Sequence, residues 1–203
     1  MRTGASASKI PRKPSLLWVT KVGPSVSSPI FGDWTIYVST ITGRIFASPC
    51  LSFDEGPSVF IGTYNGGMFC LNQSTGMIRW SKQIPKPVMA SPATIKDKVF
   101  FAASDKRIYC FQVKDGSKIL DFETDDKIWS SPSLSEYAGV MFFGSLDSHI
   151  YGIDINTGRQ TWKFPTMNIV DSSAAIASNM MLIGSRDGLL YVLGSETTPS
   201  YIR

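Results

Sequence analysis

Short runs of apolar residues, broken by polar or turn-forming residues, recur through most of the chain. One stretch shows the pattern: runs at 80–84, 89–95, 99–103 and 107–113 are separated by Pro85, by Lys96-Asp97 and by Ser104-Asp105-Lys106. Their length, their aromatic and β-branched content and the breakers between them predict strands. Val99-Phe100-Phe101-Ala102-Ala103 and Val140-Met141-Phe142-Phe143-Gly144 are apolar at nearly every position. A strand of that kind is expected to be covered on both faces.

The runs are periodic. Residues 62–80, 103–120 and 144–162 align with one another, and 184–194 adds a partial copy. The aromatics Phe69, Tyr109, Tyr151 and Tyr191 are 40, 42 and 40 residues apart. Gly76, Gly116 and Gly158 each lie four residues before Trp80, Leu120 or Trp162. A small residue and a serine, usually followed by proline, recur at Ser91-Pro92, Ser131-Pro132 and Ser172-Ser173. The turns Asn156-Thr157-Gly158 and Lys114-Asp115-Gly116 suit hairpins that need a positive φ. Four antiparallel strands in about 40 residues is the blade of an all-β propeller.

The shared pattern Gly-Ser-x-Asp-Gly-x-Leu-Tyr-x-Leu-Asp-x-x-Thr-Gly-x-x-x-Trp resembles the pyrroloquinoline-quinone (PQQ)-like propeller repeat. In that family the Thr-Gly turn and following tryptophan form a docking motif whose indole packs on the next blade. The resemblance assigns that structural role to Trp18, Trp80 and Trp162 with Gly76, Gly116 and Gly158, Trp80 and Trp162 fitting the motif fully. Leu120 and the Lys114-Asp115-Gly116 turn depart from the motif, and Trp18 opens a degenerate copy. The likeness covers roughly residues 16–194. The chain is therefore divided into a basic tail or linker, 1–15, and PQQ-like repeats, 16–203.

Within the family, quinoprotein dehydrogenases carry adjacent cysteines and are much longer, and bacterial outer-membrane assembly propellers begin with a signal and a lipid-bearing cysteine. The chain is most similar to the C-terminal propeller of eukaryotic β-alanine-activating, acyl-CoA-synthetase-like adenylating enzymes. That resemblance implies a non-catalytic interaction or scaffold module without a cofactor, partnered by another protein or by the other domains of a parent enzyme. The alternatives are a quinoprotein oxidoreductase remnant that still binds PQQ and a stand-alone assembly scaffold.

The repeat has one irregularity. Ser39-Thr40-Ile41-Thr42-Gly43-Arg44-Ile45-Phe46 matches a strand-turn-strand, and from Phe46 the next Ser-Pro is expected 22 residues later, as from Phe69 to Ser91. It comes at Ser48, so half a blade is missing at 47–48. About four and a half blades then remain. They are expected to form an incomplete ring, as in a fragment or isoform of a larger protein. The alternative is a closed ring with an abbreviated blade, its first strand paired with Ser200-Tyr201-Ile202.

Composition adds limits. Of 203 residues, 43% are hydrophobic and 18% charged, which is a globular balance. No apolar run is long enough to span a membrane as a helix. The net charge of +4 is local: Arg2, Lys9, Arg12, Lys13 and Lys21 stand without an acid in residues 1–21, leaving 15 basic against 16 acidic side chains in the other 182. The repeats thus lack the single-sign field that nucleic acid requires. The tail has no apolar core of a secretory signal, so a cytoplasmic protein is expected, with Cys50, Cys70 and Cys110 as reduced thiols. The Asn72-Gln73-Ser74 sequon carries no weight in that compartment.

Candidate chemistry is sparse. His149 is the single histidine, which leaves no histidine-based triad or multi-histidine metal site, and it reads as a solvated turn residue. Cys70 and Cys110 occupy equivalent positions, as core hydrophobes or as a redox pair. Asn65, Asp147 and Asp187 sit at matching turns, where bonding to their own backbone explains them. Asp121, Glu123, Asp125 and Asp126 read as a solvated loop. No catalytic or metal-binding residue is expected. Trp34 and Trp129 lie off the docking register. Trp129, placed in the slot of Met89 and Val170, is the residue expected to contact a partner at a ring face.

Overall fold

Strands form wherever the apolar runs predict them. The computed structural model describes residues 30–32, 35–37, 45–177 and 180–194, the first two stretches by backbone alone, and every regular element among them is a strand. A short hairpin, β1 (Ile30–Gly32) and β2 (Thr35–Tyr37), comes first. Three four-stranded sheets follow. The first holds β3 (Cys50–Ser52), β4 (Ser58–Gly62), β5 (Gly67–Asn72) and β6 (Ile78–Gln83). The second holds β7 (Ala93–Ile95), β8 (Lys98–Ala102), β9 (Arg107–Gln112) and β10 (Lys118–Glu123). The third holds β11 (Ser133–Ser135), β12 (Val140–Ser145), β13 (His149–Asp154) and β14 (Gln160–Pro165). The last described sheet has three strands, β15 (Ala175–Ala177), β16 (Met180–Gly184) and β17 (Leu190–Gly194).

Within each sheet the strands are antiparallel and in chain order, and the short first strands β3, β7, β11 and β15 are neighbours from sheet to sheet. That is the radial arrangement of propeller blades. Among the described residues the ring is not closed.

One grouping differs from the sequence reading. The run at 80–84, grouped there with the three strands that follow it, is the outer strand β6 of the preceding blade. The Asn72–Gly76 turn is a tight hairpin, with the Gly76 N–H donating to the Asn72 carbonyl at 2.9 Å, and it pairs β6 with β5. Residues 84–92, carrying Pro85, Pro87 and Pro92, instead cross from the outer edge of one sheet to the inner edge of the next. The 89–95 run therefore becomes strand only at its end, Ala93–Ile95.

Each seam between blades is an apolar sandwich, which is why the central strands lack a polar face. Along β8, Val99 and Phe101 (with Ala103 just beyond the strand) pack toward the blade before, with Phe60, Met68, Cys70 and Trp80. Phe100 and Ala102 pack toward the blade after, with Met141, Phe143, Tyr151 and Ile153. The third seam joins Ile150, Phe142 and Trp162 to Met181, Ile183, Tyr191 and Leu193.

At Trp80 the indole N–H donates to the Val113 carbonyl of the next blade at 2.9 Å, beneath the Gly116 turn. Leu120 occupies the same place below Gly158. Trp162 stacks on Phe142, with ring centroids 5.7 Å apart. Trp18, Trp34 and Ser200-Tyr201-Ile202 lie outside the described residues.

Ile45-Phe46-Ala47-Ser48-Pro49 has the burial and bonding of Val88-Met89-Ala90-Ser91-Pro92, with Ile45, Ala47, Val88 and Ala90 all buried. Phe46 therefore holds the lead-in position of Met89, and residues 38–44 of the expected strand-turn-strand lie outside the described residues.

Candidate interaction surface

A hydrogen-bonded track links the blades where those lead-ins enter the inner strands. The Ser48 N–H donates to Ser91 Oγ at 2.9 Å, the Ser91 N–H to Ser131 Oγ at 2.9 Å, and the Ser131 N–H to Ser173 Oγ at 3.0 Å. These serines mark equivalent positions, so the residues two before them align as Phe46, Met89, Trp129 and Asp171. The sequence reading placed Trp129 with Val170. The structure pairs it with Asp171, because Val170, Ile128 and Val88 are the fully buried anchors of the lead-in. Their N–H groups donate to Ser145, Ala103 and Thr63 carbonyls.

Phe46, Met89 and Trp129 each lie between two buried residues, which turns the intervening side chain toward the rim formed by the blade connections. Phe46 is 55% exposed and meets Tyr64, 41% exposed, edge to face at 5.6 Å. Trp129 is half-buried, and its indole N–H donates to Ser104 Oγ at 3.3 Å. Asp171 ends the series in an ion pair with Arg186, Oδ2 to Nη2 at 2.6 Å. The rim thus runs from aromatic, through Met89, to a charged pair. Such a surface can hold an apolar or amphipathic segment. Phe46 and Tyr64 were missed in the sequence, although the Ser48-Pro49 landmark two residues after Phe46 was visible.

The acidic turn residues act as clasps. Asp105, Asp147 and Asp187 accept the hydroxyls of Tyr109, Tyr151 and Tyr191 at 2.6, 2.6 and 2.7 Å. Asp147 and Asp187 also take the N–H groups of Asp125 and Met167 from the preceding blade connection, at 3.1 and 3.0 Å. The position equivalent to Asp125 one repeat earlier is Pro85, which has no N–H to give. In the first full blade the pair is Asn65 and Phe69, and Asn65 Oδ1 accepts from Thr63 Oγ1 instead.

Burial and the hydrogen bond to Asp147 push the Tyr151 phenol up to about 12. The folded state holds that proton more tightly than the unfolded chain. The stability this adds is complete below the ordinary tyrosine value of about 10 and is lost as pH rises toward about 12. Between those values Tyr151→Phe should lose stability less steeply with pH than the parent, as read from urea midpoints.

Asp121 and Glu123 lie on β10 rather than in a solvated loop, and both pair with Arg107. Burial works against ionisation of Asp121, but Lys118 and Arg107 outweigh it and hold the carboxyl below its usual range. Lys163, 2.8 Å from Asp125, lowers that carboxyl in turn. His149 opens β13 instead of sitting in the turn, with Nδ1 2.8 Å from the Asp147 carbonyl. Cys70 and Cys110 are free and buried in two different seams. Burial raises both thiols, Cys110 to about 12. No cluster of three metal-ligating side chains occurs among the described residues.

A family model described as outer membrane protein assembly factor BamB matches residues 11–163. BamB of Yersinia pestis is 24% identical over 78% of the chain, and the β-alanine-activating enzyme of Danio rerio is 31% identical over 86%. The chain spans 41% of the first relative and 15% of the second. The crystal structure of BamB from Moraxella catarrhalis superposes with a TM-score of 0.67 at 21% identity, over 78% of this chain and 48% of that one. No helix among the described residues is long and apolar enough to cross a membrane.

Proposed function

The chain belongs to the PQQ-like propeller family whose model carries the description outer membrane protein assembly factor BamB, and from that membership we propose that it is a non-catalytic recognition module binding a protein through the Phe46–Trp129 rim. The observation that carries the reading is the lead-in register, which sets Phe46, Met89 and Trp129 at successive equivalent places on one rim. Two relatives with unlike names, an assembly factor and an activating enzyme, have this propeller in common. A platform that recognises other proteins is the role that fits both.

The likeness to the β-alanine-activating enzyme favours a propeller of that adenylating type, as a fragment or isoform acting in the cytoplasm. Acid activation then belongs to the 85% of that relative's length that this chain does not span. PQQ has no part in this reading.

The test compares the chain with its Phe46→Ser, Trp129→Ser variant. A partner retained from extract of the source organism should be lost by the variant while its melting transition persists. Equal retention by both proteins would remove the rim from the account. A fluorescence titration with PQQ and Ca²⁺ should give no saturable response, and saturation would revive the oxidoreductase alternative.

A further inference from the structure

Charge is unevenly spread along the rim. Beside Phe46, Tyr64 and Met89, the turn at 63–66 and the connection at 84–89 hold one lysine, Lys86, and no acid. Asn65 stands there where later turns carry Asp105, Asp147 and Asp187, and Lys86 takes the place of Asp126 and Asn168. Two repeats on, the matching stretches 146–148 and 166–171 hold Asp147 and Asp171 and no cation. The aromatic end of the rim is thus its cationic end.

Three lysines stand around the apolar side chains. Lys86 lies between Pro85 and Pro87, and its carbonyl abuts the Tyr64-Asn65-Gly66 turn, 2.8 Å from where a Cβ at Gly66 would sit. Lys127 is two residues before Trp129, and Lys106 is two after Ser104, which accepts the Trp129 indole N–H. Lys86 and Lys127 are exposed, and neither pairs with an acid among the described residues. Lys106 has a left-handed φ of 73°, at the turn position that Gly66 and Gly188 fill with 88° and 87°. Ser148 shares that hand but carries no charge. A lysine is strained there, and such strain collects at functional surfaces. Its Nζ donates to the Asp125 carbonyl at 2.8 Å, which holds the ammonium beside the rim with further N–H donors to give. The acids of the same stretch are already engaged: Asp105 accepts the Tyr109 hydroxyl, Asp125 pairs with Lys163, and Asp126 accepts the Lys127 N–H.

On the reading that the rim binds a protein, we infer that its partner there is an acidic segment with apolar anchors. The anchors lie on Phe46, Met89 and Trp129 while separate carboxylates meet Lys86, Lys106 and Lys127. A continuous anionic surface, a membrane or a nucleic acid, would also face Asp125 and Asp126 between those lysines. A segment with spaced acids avoids them. Charges placed this way select the partner more than they add affinity.

Short fluorescein-labelled peptides test this by anisotropy. Three share leucine and phenylalanine anchors and carry glutamate, glutamine or lysine between them. A fourth keeps the glutamates and has serine for the anchors. The glutamate peptide should bind about tenfold tighter than the lysine peptide, as a few exposed ion pairs allow. That gap should narrow as salt rises from about 0.05 to about 0.5 M. Lys86→Glu with Lys127→Glu should reverse the preference, and Phe46→Ser with Trp129→Ser should lose all binding. Glutamine or lysine peptides that bind as well as the glutamate peptide, yet are lost by the Phe46, Trp129 variant, overturn the charge inference and leave the rim in place. Binding that survives that variant removes the rim itself. The inference also falls if the serine peptide binds equally, if phosphatidylserine vesicles capture the chain in preference to the peptides, or if no peptide binds. In that last case retention from extract still decides the rim.

Discussion

Replacing Trp80 with alanine should destabilise the chain by about 3–5 kcal/mol, the range for truncating a buried aromatic. The indole lies at the centre of the first full seam, with ring centroids 5.9 Å from Phe60, 6.5 Å from Phe101 and 5.9 Å from Phe111. Its N–H also donates to the Val113 carbonyl across the seam. Removing it opens a cavity between two blades and leaves a buried carbonyl without that donor. Trp80→Phe should recover most of the packing and lose the hydrogen bond, a cost of about 1 kcal/mol. Trp162→Ala should cost less than Trp80→Ala, because Trp162 is half-buried. Urea titration of the three variants checks the order. A Trp80→Ala midpoint equal to that of Trp162→Ala would sink the idea that the seam is anchored there.

The repeat was legible in the sequence because a blade must present the same residues to each neighbour. Phe69, Tyr109, Tyr151 and Tyr191 hold one register because each β5-type strand meets the same kind of seam, and the turn glycines follow from one hairpin geometry. The blade boundary was less legible. Apolar periodicity marks β6 and β7 as strands but does not say that the chain crosses from an outer edge to an inner edge between them. The rim was legible only at Trp129. Phe46, Met89 and Asp171 have no common chemistry, so their equivalence emerges only through the serine track and the buried anchors beside them. The clasps were half visible. The turn aspartates aligned, but the tyrosine four residues later and the N–H from the neighbouring connection are partners that only the folded chain brings together.

Alanine at Gly116 should cost about 2–5 kcal/mol, and alanine at Gly76 about 1–2 kcal/mol, although the two turns look alike in sequence. Both glycines have positive φ, 71° and 70°, so both variants incur the left-handed penalty of about 1–2 kcal/mol. A Cβ at Gly76 would meet nothing within 4 Å, whereas at Gly116 it would lie 2.7 Å from Trp80 Cδ2 and 2.8 Å from Cγ. The indole is held by three aromatic neighbours and cannot retreat, which adds about 1–3 kcal/mol of overpacking. Gly158 should fall between, since its nearest neighbour is a Leu120 methyl at 3.3 Å. A double-mutant cycle isolates the contact. With Trp80→Ala in place the added methyl enters vacated space, and Gly116→Ala should then cost no more than Gly76→Ala does in the parent. An unchanged cost in that background would mean that backbone strain alone, rather than the seam against Trp80, requires glycine at this turn.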